Sequence, residues 1–129
     1  MAPRVLLVVD DSAVVRALVR RALAGLDALS LEEADDGDRA LARCQSGPVD
    51  LVITDLDMPR MSGFAWLEAL RREGVALTPR VAVMSTDDSL ERRERALGLG
   101  VCVFLRKPFS AAEVRAEVTA LVEQLRRSR

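Results

Sequence analysis

The chain has 129 residues and a mass of 14.1 kDa, which is the size of one typical domain. Its 19 basic and 20 acidic residues leave a net charge of −1, so no global field draws the protein to nucleic acid or to a membrane surface. Histidine and tyrosine are both absent, which excludes Ser/His/Asp and Cys/His catalysis, histidine-ligated metals and a histidine phosphocarrier within this chain.

The remaining composition favours a single cytoplasmic domain. No apolar run approaches the roughly 18 residues that span a bilayer, and the N-terminus lacks the pattern of a signal peptide. Cys44 and Cys102 are expected to be reduced and buried. No repeat or linker divides the sequence, so residues 1–129 are predicted to form one domain.

The first predicted strand ends in carboxylates. Arg4–Val9 is an apolar run that stops at the pair Asp10 and Asp11. Either Ser12 or Asp11 can cap the amphipathic helix that is predicted to follow.

The second predicted unit is a weak strand followed by an acidic turn. Residues 28–34 alternate weakly between apolar and polar, and the cluster at 35–38 is typical of a turn that also opens a helix. Gly47 and Pro48 are predicted to end that helix.

The third predicted strand ends at an acidic residue, and a loop follows it. An apolar run over residues 51–53 ends at Asp55, with a second carboxylate at Asp57 and with Pro59 and Gly63 interrupting regular structure beyond. A strand without a polar face must be covered on both sides, which indicates the interior of a parallel sheet. Taken alone, Asp55 would most simply be interpreted as the cap of the next helix. A functional role for it depends on the polar residues that end the other predicted strands.

A helix and a fourth strand follow. The helix is predicted to stop at Gly74, and Trp66 within it is interpreted as a packing residue. The apolar run over residues 81–84 ends in the hydroxyl residues Ser85 and Thr86.

The last third of the chain again alternates predicted helices with an apolar run that ends in a polar residue. Asp88 and Glu91 are predicted to cap the fourth helix reciprocally. Residues 101–105 form the fifth apolar run, which is followed by Lys107, and Ser110 opens the last helix at a capping box. Five strands alternating with five helices predict a three-layer α/β sandwich with a parallel sheet and right-handed crossovers, although spacing does not give the strand order.

Polar side chains follow four of the predicted strands. They are Asp10 and Asp11 after the first strand, Asp55 after the third, Ser85 after the fourth and Lys107 after the fifth. Because the carboxyl ends of parallel strands share one edge of a sheet, these side chains are expected to form a common site. Helix capping would account for single acids but not for a double aspartate or for the only lysine of the chain.

Such a site would need a cation. Three acidic side chains within about 5 Å repel by roughly 3 kcal/mol per pair at an effective dielectric near 20. Carboxylate ligation without His or Cys favours Mg²⁺, with Mn²⁺ as the alternative. Lys107 and the Ser85 hydroxyl then complete a clamp for phosphoryl oxygens. Asp55 could be a metal ligand only or a nucleophile that forms an aspartyl phosphate, and its central strand favours the nucleophile.

Taken together, these residues resemble the receiver domain of two-component response regulators over essentially the whole chain. The motifs are the pair Asp10-Asp11, the DxxMPxMxG segment over 55–63, Ser85-Thr86 and Lys107-Pro108-Phe109. The resemblance implies a flavodoxin-like sandwich of five βα units with strand order 2-1-3-4-5, and a cis peptide bond before Pro108.

The resemblance also implies the roles of the acidic residues. Asp55 would be the phosphoacceptor, and Mg²⁺ would be held by Asp10, Asp11, the Asp55 carboxylate and the backbone carbonyl of Asp57. Asp57 and Asp87 occupy positions that vary in this family, and they are expected to flank the phosphoryl group.

The resemblance implies a mechanism in which phosphorylation adds negative charge at the site and nearby side chains repack in response. Lys107, the Ser85 hydroxyl and the Thr86 amide would hold the phosphoryl oxygens. Ser85 would move to the phosphoryl group and Phe104 would turn into the vacated space, which changes the face formed by helix four, strand five and helix five. Arg92 on that face is interpreted as a solvated charge.

The implied partners are a histidine kinase or histidine phosphotransfer protein, which supplies the phosphoryl group, and an unidentified downstream protein. Catalysis would be limited to the domain's own phosphorylation and dephosphorylation. The chain is expected to be a monomer or a phosphorylation-dependent dimer that contacts neither nucleic acid nor membrane. If it is full length it contains no output domain, but it could equally be part of a larger regulator.

Two other classes of protein share part of this pattern. A small haloacid-dehalogenase-like phosphohydrolase would use Asp55 and Asp57 as nucleophile and acid, but the motif lies mid-chain and no room remains for a substrate cap. A phosphate-independent, receiver-like interaction module usually lacks one of the acids or the lysine, and this sequence has them all.

Overall fold

The computed structural model describes residues 4–73 and 79–127, and within these ranges five strands alternate with five helices as predicted. The strands are β1 (Arg4–Val9), β2 (Leu29–Ala34), β3 (Leu51–Asp55), β4 (Arg80–Ser85) and β5 (Val103–Arg106). The helices are α1 (Ala13–Ala22), α2 (Gly37–Ser46), α3 (Gly63–Arg72), α4 (Leu90–Gly98) and α5 (Ala111–Arg127). Gly74, the predicted stop of α3, lies outside the described residues.

All the strand pairs of the sheet are parallel, and the strand order is β2-β1-β3-β4-β5. The flavodoxin-like order implied by the resemblance is therefore confirmed. β3 lies in the middle of the sheet, and every one of its residues is buried. This central position accounts for the unbroken apolar run that precedes Asp55.

Two hydrophobic cores cover the two faces of the sheet. Leu7 and Val9 of β1 point to the side of α2, α3 and α4, whereas Leu6 and Val8 point to the side of α1 and α5. Adjacent residues face opposite cores because side chains alternate along a strand. The sheet is thereby the middle layer of three.

The N-termini of α1, α2 and α5 are capped as the sequence predicts, whereas that of α4 is not. Ser12 rather than Asp11 caps α1, and the Ser110 capping box of α5 is confirmed. The prediction that Asp88 caps α4 is wrong, because the N-cap is Ser89, whose hydroxyl accepts from the backbone N–H of Arg92. The carboxylate of Asp88 is instead paired with arginines. The acidic turn does open α2, with Asp36 as its N-cap.

Smaller differences concern strand ends and cysteines. β2 begins at Leu29 because Ala28 has a φ of 60°, which is incompatible with an extended strand. Cys44 is buried, and burial raises the pKa of its thiol to about 11. Cys102 is exposed, so its expected burial is wrong; it precedes β5, at the edge of the sheet. Across residues 4–73 and 79–127, every helix is too short or too polar to span a bilayer.

Trp66 ties α3 to the strand that carries Asp55. Its side chain is fully buried, and its Nε1 donates to the Thr54 hydroxyl at 2.9 Å. That hydroxyl lies 2.9 Å from the carbonyl oxygen of Asp55, to which it donates. Trp66 is therefore a packing residue, as predicted, and it also helps to fix the backbone at Asp55.

Gly63 permits the close approach of α3 to the same backbone. A Cβ added at this position would overlap the carbonyl oxygen of Asp55 and lie 2.7 Å from Leu56 Cα. Since both neighbours are backbone atoms, a side chain here can be accommodated only if α3 or the end of β3 shifts.

Gly63→Ala is therefore expected to lower the free energy of unfolding by about 2 kcal/mol, measured by urea denaturation. Gly98→Ala is the matched control, because nothing lies within 4 Å of an added Cβ at that helical position. The control should be neutral or stabilising by up to about 1 kcal/mol. Equal stability of the two variants would contradict this account of Gly63.

Candidate functional site

Four strand ends converge at the carboxyl edge of the sheet. Asp10 follows β1, Asp55 ends β3, Ser85 ends β4 and Lys107 follows β5. Asp10 and Ser85 are fully buried and Asp55 is only 4% exposed. Buried polar side chains of this kind need hydrogen-bond partners or ligands.

An acidic cluster occupies the centre of this edge. Asp10, Asp11 and Asp55 each place a carboxylate oxygen within 4.8 Å of the others. Asp10 is oriented by the backbone N–H of Ser12, which donates to its Oδ1 at 2.8 Å. Oxygen-only ligands, two of them on buried residues, fit a hard divalent cation such as Mg²⁺.

Lys107 reaches the same cluster from β5. Its Nζ lies 2.9 Å from Asp10 Oδ2 and 3.5 Å from Asp55 Oδ2. Burial opposes the charge of this ammonium, but the hydrogen bond to Asp10 and the charges of both aspartates raise its pKa above the usual value. Lys107 is therefore a cation, and the peptide bond that follows it, before Pro108, is cis as the resemblance implies.

Asp55 is a carboxylate in an unfavourable environment. Burial raises its pKa above the usual value, and the charges of Asp10 and Asp57 act in the same direction. The backbone N–H of Asp57, which donates to Asp55 Oδ1 at 3.0 Å, and the ammonium of Lys107 oppose this rise. A carboxylate that is poorly stabilised by its surroundings is suited to react with an electrophile.

The raised pKa of Asp55 has a consequence for stability. Because the pKa is higher in the folded state, this group favours folding below its unfolded pKa, and the benefit is lost as pH rises through the folded pKa. Asp55→Asn in Mg²⁺-free buffer is therefore expected to raise the free energy of unfolding near pH 7 and to change it little near pH 3. Urea unfolding at both pH values measures the difference. A variant that is less stable than the wild type near pH 7 would contradict this expectation.

Ser85 and Asp57 contact each other beside the cluster. Ser85 Oγ lies 3.0 Å from Asp57 Oδ2 and 3.0 Å from the carbonyl oxygen of Asp87, so its single proton is shared between these acceptors. The carboxylate of Asp57 thus faces Ser85. Within the described residues, the acidic cluster consists of Asp10, Asp11 and Asp55, without Asp57.

Arg92 is a site residue that the sequence analysis assigned to solvent. Its Nη2 donates to Asp57 Oδ1 at 2.7 Å and lies 3.3 Å from Ser85 Oγ. One signal in the sequence pointed to this contact: Arg92 lies in the first turn of α4, where the helix dipole disfavours a cation that has no anionic partner.

The two remaining predicted residues lie at the rim of the site. Thr86 is exposed directly after Ser85. Phe104 is half-buried in β5, and the guanidinium of Arg93 lies 4.7 Å from the centroid of its ring. An arginine at this distance from an aromatic face makes a cation–π contact.

Comparisons with known proteins agree with this geometry. A family model, the response regulator receiver domain, matches residues 6–119. Chemotaxis protein CheY-3 of Vibrio cholerae serotype O1 is 32% identical over 120 residues, which cover 93% of this chain and 92% of that protein. The structure of chemotaxis response regulator CheY4 of Vibrio cholerae matches with a TM-score of 0.82 and 28% identity, covering 93% of this chain and 99% of that one. The receiver domain of the Francisella response regulator 1452 matches with a TM-score of 0.84 and 26% identity, covering 95% and 98%.

Proposed function

This chain belongs to the response regulator receiver domain family, and on that premise we propose that it is a phosphoacceptor of a two-component system or phosphorelay. Asp55 takes a phosphoryl group from a histidine kinase or a histidine phosphotransfer protein, and the modified domain binds a downstream protein. The observation that carries this proposal is the position of Asp55, which is buried at the end of β3 beside Asp10 and 3.5 Å from the ammonium of Lys107.

The proposed reaction is an in-line displacement at phosphorus. A carboxylate oxygen of Asp55 attacks the phosphorus atom while the bond from phosphorus to the donor's leaving group breaks, which gives an aspartyl phosphate and the released donor. Lys107 donates to one phosphoryl oxygen, and the Ser85 hydroxyl and the Thr86 amide hold others. The location of Lys107 between Asp10 and Asp55 supports its part in this scheme.

Asp10, Asp11 and Asp55, with the backbone carbonyl of Asp57, are the proposed ligands of Mg²⁺, for which Mn²⁺ could substitute. When bound, the cation neutralises the acidic cluster and the charge on the phosphoryl oxygens. The all-oxygen donor set and the short distances among the three carboxylates support this assignment.

Phosphorylation is proposed to act through Ser85 and Phe104. Ser85 must leave Asp57 before its hydroxyl can reach a phosphoryl oxygen. Phe104 then turns inward, loses its contact with Arg93 and changes the surface formed by α4, β5 and α5. This surface is the proposed docking site of the downstream protein or of a second, phosphorylated copy.

Incubation of the wild-type protein with acetyl phosphate, with and without Mg²⁺, tests the proposal by intact mass. We expect a gain of one phosphoryl group that requires Mg²⁺ and disappears when a chelator is added first. Absence of any gain, under conditions that label a known receiver domain, would favour the phosphate-independent interaction module. Continuous turnover of p-nitrophenyl phosphate would instead favour the phosphohydrolase.

A further inference from the structure

The carboxylate of Asp57 lies close to the proposed site of phosphorylation. Its backbone N–H donates to Asp55 Oδ1 at 3.0 Å, and its side chain is 48% exposed. A phosphoryl group on Asp55 would bring at least one further negative charge into this neighbourhood. Without a counterion, Asp57 would repel both the phosphodonor and the phosphorylated product.

A cation from α4 is paired with this carboxylate. Arg92 Nη2 lies 2.7 Å from Asp57 Oδ1, and Arg92 Nε lies 3.8 Å from Asp87 Oδ2. The guanidinium is also 5.4 Å from the centroid of the Phe64 ring on α3. The Arg92 side chain is 24% exposed and that of Asp57 is 48% exposed, so solvent screens the arginine end of this pair less than the carboxylate end.

We propose that Arg92 is a positioning residue for the phosphorylation of Asp55, and that it acts by neutralising Asp57 and turning its carboxylate away from the metal ligands. This inference rests on the proposed function. Two observations carry it: Asp57 Oδ1 and Oδ2 contact Arg92 and Ser85, and, among the described residues, Asp57 is not part of the acidic cluster.

If Arg92 has this role, a change in net charge beside Asp55 should shift the rate of phosphorylation and the affinity for a divalent cation in opposite directions. Loss of Arg92 leaves the Asp57 carboxylate unpaired, which repels an anionic phosphodonor and at the same time attracts a divalent cation. Loss of Asp57 alone leaves the cation of Arg92 with only the more distant carboxylate of Asp87 as a counterion, and it has the reverse effects. Removal of both restores the original net charge. A purely structural role for Arg92 would not produce opposite changes in the two properties.

The test compares four variants with the wild type: Arg92→Gln, Asp57→Asn, the double variant Asp57→Asn/Arg92→Gln, and Arg95→Gln. Arg95 is the matched control, because it lies on the same helix and 4.2 Å from the centroid of Phe64, and is paired with Glu68 rather than with Asp57. The first readout is the rate of phosphorylation by acetyl phosphate at saturating Mg²⁺. The second is the affinity for Mn²⁺ without a phosphodonor, measured from the electron paramagnetic resonance signal of free Mn²⁺.

Arg92→Gln is expected to slow phosphorylation about tenfold and to raise Mn²⁺ affinity about fivefold. Asp57→Asn should shift both properties the other way, and the double variant should return both to within about twofold of the wild type. Arg95→Gln should change neither.

A parallel fall in rate and Mn²⁺ affinity, or a loss of rate that Asp57→Asn does not restore, would overturn the role of Arg92. Unchanged values in Arg92→Gln would overturn it as well. A wild-type protein that is not labelled at all would instead overturn the proposed function, which distinguishes the two failures.

Discussion

Asp55→Asn is expected to abolish the Mg²⁺-dependent gain of one phosphoryl group from acetyl phosphate. The amide has nearly the shape of the carboxylate, so it preserves the packing at the end of β3, but it removes the anionic oxygen that attacks phosphorus. Intact mass spectrometry over a time course measures the effect. The expected loss is complete at times when the wild type is fully labelled.

Asp57→Asn is the matched control for this variant, since it removes an equally charged residue two positions away. Asp57 faces Arg92 and Ser85 and is not the proposed nucleophile, so its variant should still accept one phosphoryl group. Labelling of Asp55→Asn to the wild-type extent, or loss of labelling only in Asp57→Asn, would show that the nucleophile is assigned wrongly.

Asp10→Asn is expected to lower the affinity for Mg²⁺ by about 100-fold, because it removes one of three anionic ligands and leaves the ammonium of Lys107 less neutralised beside the site. Isothermal titration calorimetry with Mg²⁺, or displacement of Mn²⁺, measures the change. Phosphorylation at low Mg²⁺ should fall in parallel.

Glu123→Gln is the control for Asp10→Asn. Glu123 lies near the end of α5, where it is paired with Arg126, so its variant loses the same formal charge away from the acidic cluster. Its Mg²⁺ affinity should stay within about twofold of the wild type. Equal losses in both variants would mean that net charge, rather than ligation by Asp10, determines binding.

Most of the fold could be predicted because its central strand has no polar face. Leu51–Asp55 is buried at every position, and a run of this kind has few explanations other than the middle of a parallel sheet. The strand order could not be obtained from spacing, since crossovers of similar length can lead to either side of a strand. It came from the family resemblance, and the observed order confirms it.

That the four site residues lie close together could also be predicted from the parallel sheet. Once the sheet is parallel, Asp10, Asp55, Ser85 and Lys107 must share an edge, and the structure brings them together there. The roles assigned to these residues remain predictions that the experiments above test.

The features that sequence reasoning missed depend on where long side chains point. Asp88 and Ser89 are both good capping residues, and only the backbone angles of the loop determine that Ser89 caps α4. Arg92 belongs to a helix rich in charges, and no periodicity distinguishes an arginine that reaches Asp57 from one in solvent. Its contact is made by the length of its side chain, which reaches from the first turn of α4 to Asp57 Oδ1.

Localising the modified residue tests the central claim most directly. The wild-type protein would be treated with acetyl phosphate and Mg²⁺ and then reduced with borohydride, which converts an aspartyl phosphate to homoserine, and its peptides would be mapped by mass spectrometry. Homoserine at position 55 alone is the result we predict. Homoserine at position 10, 11 or 57 would contradict the assignment of Asp55 as the phosphoacceptor.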